Sequence, residues 1–596
     1  CDVVEMIPNK SYVLFTYKRL RDVRIVYVPP KSLGNFGGDT DNFEWPRHTA
    51  DFTLLRAYVP PPNGDSDSSG SWDGYHPDNV PYDSSSSFIR VRKPSPSTNI
   101  RENDMVFLLG FPGSTMRYAP TPRLRYADEV AVPKMVKDFS RKLQLIDRFE
   151  GDSPEAALKM GSTKKGLANE LKRSKGKLVM MRKLKLLEER SAEEGLLVEA
   201  TAAAVTTKGE KSVAEILERL EGIYDSFRSA EAIASALNSL RGIYGGSAFL
   251  AAAHSIHEYL AEEKAKPDSD RETTYRKRNL PFLTKRLTKR LKDVYLPHEE
   301  ELVKDCVAVL DQLRASGGHQ DDDLLKTCLG GISETVLKDG ETAAKAVVEG
   351  ASKLSSMSMD PELDLLTEVF SEEDDSDNDT DKSASWLEDP FVKVAASLFA
   401  VYKRDKDATK ALISERDSLL AKLLEYQQEF VSSSNGEQES YPDCNGSLRI
   451  SAGFVQGYQA SDAVLHTPQT TLSGLLDKAT EAKLGSSDTD EYGDSEFHCP
   501  DRLYQRLEED AGARDVNVCL LYSTDTVGGN SGSPVMNSKG ELVAINFDRQ
   551  RQGLMNEYKW SSKYSRSIGV DVRYILWLIG DYDGATHLVD ELIATE

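Results

Sequence analysis

The sequence predicts a β-rich domain split by a large inserted all-helical domain, α+β overall, and three stretches carry that prediction. Residues 11–60 alternate β-branched and aromatic residues with polar ones, the pattern of half-buried strands in a barrel or sandwich. From about Pro133 to Glu429, Leu, Ala, Met and Ile recur at i, i+3 and i+4 among Lys, Arg and Glu, which is amphipathic helical spacing. Strand pattern then returns at Leu448–Phe454 and dominates Val516–Phe547. A chain of 596 residues exceeds one hydrophobic core and should form about two or three domains. The expected division is 1–132 and 436–596 as two parts of the β domain, with 133–435 as the helical domain. There is no internal repeat of fixed period.

The elements follow in chain order. Ser11–Tyr17, Val23–Val28 and Phe52–Val59 read as strands, and strand-like sequence resumes at Phe88 and at Met105–Phe111. Between them, about 60–87 is rich in Pro, Gly, Asp and Ser, too polar to bury a core, and reads as a surface insertion. Leu171–Leu184 and Val213–Ile223 exemplify the helical pattern. An acidic run at about 371–385 and a polar run at 485–496 read as disordered loops; the acidic run lacks the glycine and terminal glutamate of a calcium loop. Val570–Ile579 reads as a helix packed on the β domain. The chain opens at Cys1 with neither an initiator methionine nor a signal peptide and enters strand sequence almost at once. The N-terminal part of the β domain is therefore expected to lie upstream, together with any address to a compartment.

Composition excludes several classes. The formal charge of −23 argues against nonspecific nucleic-acid binding. No apolar run approaches the ~20 residues of a membrane span. Six scattered cysteines lack the close pairs of a zinc or redox site.

Chemistry concentrates at Gly528-Gly529-Asn530-Ser531-Gly532-Ser533-Pro534, which sets one serine on a glycine-lined turn before an apolar strand. A serine hydroxyl is a weak nucleophile unless a general base stands beside it and amide donors face the oxyanion. Glycines let successive N–H groups point into one hollow, so Ser531 is the candidate nucleophile and the N–H groups of Gly529 and Ser531 the candidate oxyanion donors. An ordinary turn is the other reading of the heptapeptide. Asp51, at a strand start behind the glycine-rich loop 34–50, is the candidate carboxylate to orient a base, with a loop-capping aspartate as its alternative. His48 stands three residues from Asp51 in extended sequence, so the two side chains should face opposite ways. His254 and His257, at i and i+3 on a helix, lack a third metal ligand and read as packing.

At Gly37–Asp51, Leu109–Tyr118, Gly528–Pro534 and Arg566–Tyr574 the chain resembles the family of chymotrypsin-fold exopeptidases comprising dipeptidyl peptidases 7 and 11, and most nearly the acidic-specific type 11. The resemblance implies a β-rich, chymotrypsin-like double barrel carrying a Ser-His-Asp triad, with the helical domain as an inserted cap. By motif, Ser531 matches the nucleophile and Asp51 the triad aspartate, while the family's histidine precedes the first motif. This chain alone is accordingly expected to be nearly inactive, and a noncatalytic peptide-binding homologue is the alternative. The resemblance also implies no metal and no cofactor, peptide substrates with a free N-terminus, a secreted or periplasmic setting, and the homodimers common in the family.

An enzyme that removes dipeptides must hold the free ammonium at a fixed distance from its serine, and two extended residues span at most roughly 7 Å. In the family this is done by residues matching Asn42 and Asp548; Phe43 stands where the family usually has tryptophan, and Asn169 matches an asparagine from the cap. Bland readings are a strand-end turn for Asp548 and a loop hydrogen bond for Asn42. Arg549 matches the arginine of members that cut after Asp or Glu, since a guanidinium can pair with a carboxylate in a desolvated pocket. A solvated strand-end arginine is its alternative, with Arg551 nearby.

Overall fold

The structure, a computed structural model, describes residues 2–7, 11–61, 74–82, 89–91, 99–202, 211–242, 245–315, 322–332, 335–357, 366–370, 386–435, 441–486 and 489–593. Most of the polar insertion and all of the acidic run 371–385 lie outside them. The chain divides into two compact units. One, β-rich, comprises 1–120, 175–193 and 427–596; the other, helical, comprises 121–174 and 194–426.

The β-rich unit is built on a seven-stranded antiparallel sheet. Its strands are β6 (Met105–Gly110), β7 (Arg449–Phe454), β10 (Gln469–Thr471), β11 (Asn517–Tyr522), β12 (Pro534–Asn537), β13 (Leu542–Arg549) and β14 (Ser567–Asp571), in the order β10-β11-β14-β13-β12-β6-β7. A further antiparallel bridge, Val455 to Tyr522, links the end of β7 back to β11. Ser523 N donates to Phe454 O at 2.9 Å and Gln456 N to Leu521 O at 3.2 Å across this seam. Six strands therefore return on themselves as a ring.

The remaining strands form smaller sheets: β1 (Asp2–Ile7) with β2 (Ser11–Phe15), β3 (Asp22–Tyr27) with β4 (Leu54–Val59) and β5 (Val80–Pro81), and β8 (Tyr458–Ser461) with β9 (Val464–His466). A second closed ring, which the chymotrypsin-like double-barrel expectation called for, is not present among the described residues. Among the described residues the β3-β4-β5 sheet ends at β5, which has only two residues, and no further strand pairs with β3 or β5.

Side chains of β11 alternate between two cores, as period-two geometry requires. Leu520 and Tyr522 point into the ring with Val106, Leu108, Val535 and Ala544. Cys519 and Leu521 face a second core with Leu33, Phe36, Trp45, Leu503, Val570 and Ile575. This double burial is why β11 reads as a continuous apolar run. Asp571, fully buried, caps the following helix Val572–Trp577 by accepting from Arg573 N at 2.8 Å.

The helical unit packs Val213–Leu240, Ala248–Glu258, Leu280–Lys292, Leu296–Ala315 and Pro390–Asn435 around Leu250, Ile256, Tyr259, Val303, Leu310 and Val394. A full capping box at Ser212 and Glu215 starts the first of these. His254 and His257 lie buried in the packing of their helix. Among the described residues no helix is long and apolar enough to cross a membrane, and no group of side chains could hold a metal ion.

Candidate functional site

Ser531 sits at the surface on the turn between β11 and β12, and the turn is held from beneath by a buried polar chain. Tyr522 Oη, inside the ring, donates to Asn546 Oδ1 at 2.7 Å, and Asn546 Nδ2 donates to Asn530 O at 3.1 Å. All three side chains are buried. Gly532 N donates to Asn546 O at 2.7 Å, and Asn530 Oδ1 accepts from Val527 N at 3.2 Å. Gly529 holds a φ of 105°, a conformation open in practice only to glycine. A Cβ there would lie 2.4 Å from Phe111 O and 2.7 Å from Gly113 N, because the segment after β6 runs directly behind the turn.

That packing explains the glycines of the Leu109–Tyr118 motif. A Cβ on Gly110 would come within 2.3 Å of Ser533 Oγ and 2.5 Å of Asn530 Nδ2. Arg117 clamps the same segment to the connection that follows β11 through paired bonds to Asp525 at 2.7 and 2.8 Å. Among the described residues, the N–H groups of Gly529 and Ser531 donate to no protein acceptor. Ser531 Oγ donates to Phe547 O at 3.0 Å. The turn thus presents one hydroxyl beside two N–H groups without a protein acceptor among the described residues, groups of the kind that acyl transfer uses.

The loop that ends at Asp51 is held by its flanks. Ala50 N donates to Leu33 O at 2.8 Å, Thr49 Oγ1 to Gly34 O at 3.0 Å, and Thr470 Oγ1 to Arg47 O at 2.7 Å. Asp51 itself is exposed, between buried Ala50 and Phe52. His48 points the other way into the protein: a Cβ on Gly474 would lie 2.2 Å from its Nε2. Burial, and then the neighbouring Lys478 cation, lower its pKa to about 3. His48 is a neutral packing residue.

Asp548 follows an irregularity in the β13–β14 pairing, where Asn546 opposes Gly569 but Asp548 opposes Ile568. The extra residue, Phe547, is a β-bulge, and it turns Asp548 toward the Asn42–Arg47 loop. There Asp548 Oδ2 accepts from Phe43 N at 3.1 Å and from Arg47 Nη1 at 2.7 Å, while Oδ1 accepts from Arg549 N at 2.8 Å. Phe43 is buried with φ 58°, an uncommon conformation for a bulky residue, and the bond to Asp548 helps hold it. Asn42 is half-buried on the same turn. Arg47 also donates to Asp41 O at 2.8 Å and lies 5.1 Å from the Phe547 ring. Arg47 is the member of this cluster that the sequence reading missed; its place inside the Gly37–Asp51 motif was the available signal.

Arg549 is buried at the end of β13, and its Nη2 donates to Glu557 Oε1 at 3.3 Å. Glu557 Oε2 in turn accepts from Lys177 Nζ. Arg551 is exposed, 4.0 Å from Glu44, so the two arginines are clearly distinguished by burial. Asn169, half-buried, lies on the part of the helix Pro154–Lys183 that belongs to the helical unit.

The chain is similar to known proteins along nearly its whole length. The family described as Peptidase S46 matches residues 1–594. An Asp/Glu-specific dipeptidyl-peptidase of Shewanella putrefaciens is 30% identical over 99% of this chain and 77% of its own length. A dipeptidyl-peptidase 7 of Capnocytophaga gingivalis is 26% identical over 98% of this chain and 74% of its own. Among solved structures, DPP11 of Porphyromonas endodontalis in complex with the dipeptide Arg-Glu matches with a TM-score of 0.69 at 22% identity, covering 96% of this chain and 74% of that one. This last likeness shows a shared fold.

Two predictions follow from the geometry. Tyr522→Phe strands the Asn546 acceptor beneath the Ser531 turn and should cost about 1–3 kcal/mol of stability in denaturant unfolding. His48 stays neutral in the folded protein down to about pH 3, whereas a free imidazole protonates near 6.5. Its contribution to stability is therefore complete above about pH 6.5 and lost as pH falls toward 3. Unfolding midpoints measured from pH 7 to pH 4 should fall less steeply in His48→Gln.

Proposed function

The chain belongs to the peptidase S46 family, and from that premise we propose that it is a serine dipeptidyl-peptidase releasing N-terminal dipeptides whose second residue is Asp or Glu. Ser531 Oγ attacks the carbonyl of the second residue, and the N–H groups of Gly529 and Ser531 receive the oxyanion. The amine leaves with the rest of the peptide, and water then releases the dipeptide from the acyl-enzyme. Asp51 orients the imidazole that takes the serine proton. Among the described residues, the side-chain bond of Ser531 goes to Phe547 O and not to a histidine.

The observation that carries the substrate assignment is the sequence of destinations at the end of β13. Asp548 and Arg549 are consecutive, and their side chains part, one to the Asn42–Phe43 turn and the other to the buried carboxylate of Glu557. A carboxylate for the substrate ammonium and a guanidinium for its second side chain are thereby offered within one dipeptide's reach of Ser531. Asn42 and the Phe43 ring line the amine end, and Asn169 of the helical cap is assigned to the same end by motif. Relatives named Asp/Glu-specific dipeptidyl-peptidase support the acidic preference.

Hydrolysis of fluorogenic Leu-Asp and Leu-Leu amides, each with a free and an acetylated N-terminus, tests the assignment. Fast cleavage of free Leu-Asp alone is expected. Arg549→Gly should reduce cleavage of Leu-Asp by about 100-fold or more, the cost of a substrate charge left unpaired, while sparing Leu-Leu. Equal loss on both would remove Arg549 from the side-chain pocket.

A further inference from the structure

Recognition of an acidic side chain by Arg549 presents an electrostatic difficulty, because Arg549 already faces a carboxylate. Glu557 ends the turn Arg551–Glu557 that follows β13, and a guanidinium paired with it alone would form a neutral couple with little pull on a second carboxylate. The structure supplies a further cation. Lys177 Nζ donates to Glu557 Oε2 while Arg549 occupies Oε1, and the Lys177, Arg549 and Glu557 side chains are only 11%, 7% and 8% exposed. Lys177 is fixed there by close packing next to it: a Cβ on Gly176 would lie 2.4 Å from Leu554 Cδ1, within the same turn.

We propose that Lys177 is a specificity-determining residue, acting through Glu557 to leave Arg549 with the positive charge that selects an acidic second residue. The inference rests on the reading of Arg549 as the side-chain pocket. Lys177, Arg549 and Glu557 together carry one positive charge, and the incoming Asp or Glu side chain neutralises it. Glu557 holds the guanidinium in place, and Lys177 offsets the cost of that carboxylate. Lys177 is thus a positioning residue whose effect reaches the substrate as charge.

The experiment is the ratio of kcat/KM for free Leu-Asp over free Leu-Leu amides in the full-length protein and its variants. Lys177→Met should lower the ratio by about tenfold to a hundredfold, the effect of one charge at a few ångströms in a half-screened site. Lys177→Arg should keep it. In the double variant with Lys177→Met and Glu557→Gln the ratio should recover, because the surplus charge is restored. A merely structural tie would instead lower both rates together in Lys177→Met, leave the ratio unchanged, and gain nothing from Glu557→Gln; that result overturns the proposal. A wild-type protein with no preference for Leu-Asp would overturn this proposal together with the pocket reading, whereas wild-type preference with an unchanged Lys177→Met ratio overturns this proposal alone.

Discussion

The bulge at Phe547 is the constraint on which the site depends. In a regular strand Asn546 and Asp548 would share a face. Asn546 faces the ring interior, where its amide connects Tyr522 to Asn530 in the Ser531 turn. With one extra residue in β13, Asp548 leaves that face and reaches Phe43 and Arg47 instead. The Phe547 carbonyl lies against Ser531 Oγ, and Arg549 continues to Glu557. Four neighbouring residues thus reach Asn530, Ser531, the Asn42–Arg47 loop and Glu557, which regular alternation would not permit.

Around this strand end, ion pairs fix loops more than they add stability. Arg47–Asp548, Arg117–Asp525 and Lys478–Asp41 each join segments more than 400 positions apart within the β-rich unit, and Arg549–Glu557 ties the end of β13 to the turn that follows it. Buried pairs of this kind gain little net energy over apolar contacts, since desolvation offsets their attraction, whereas breaking one leaves an uncompensated charge. Their use is geometric. A carboxylate held by two or three directed donors cannot drift, and a dipeptide-measuring site needs its ends fixed to well under an ångström.

What the sequence made legible was local. Period-two and period-3.6 patterns separate strand from helix without reference to distant residues, and Gly529 and Ser531 stand in a turn whose glycines announce it. The alternation that set His48 opposite Asp51 was also local, and His48 does point inward. Arg47, Glu557 and Lys177 were not visible in the same way. Lys177 and Glu557 are separated by 380 positions, and nothing in the sequence around either distinguishes it from a solvated helix or loop charge. Only the fold brings them to one carboxylate. The bulge was equally hidden, because Leu542–Arg549 reads as an uninterrupted strand and the extra residue exists only relative to β14.

The pairing of Asp548 with Arg47 also constrains how a peptide amine can be recognised in the proposed reaction. Together the two side chains carry no net charge, so long-range attraction contributes little and recognition falls to directed hydrogen bonds. A carboxylate has about four acceptor positions. Oδ2 already receives Phe43 N and Arg47 Nη1, whereas Oδ1 receives Arg549 N alone. The acceptor capacity left over is therefore on Oδ1, the oxygen beside Arg549. An ammonium docked there stands next to the strand end that carries the side-chain cation, so the amine end and the acidic end of the dipeptide are registered by one backbone. The distance between them is then set by two consecutive residues of one strand end and by the contacts that hold their side chains, to Phe43 and Arg47 for Asp548 and to Glu557 for Arg549.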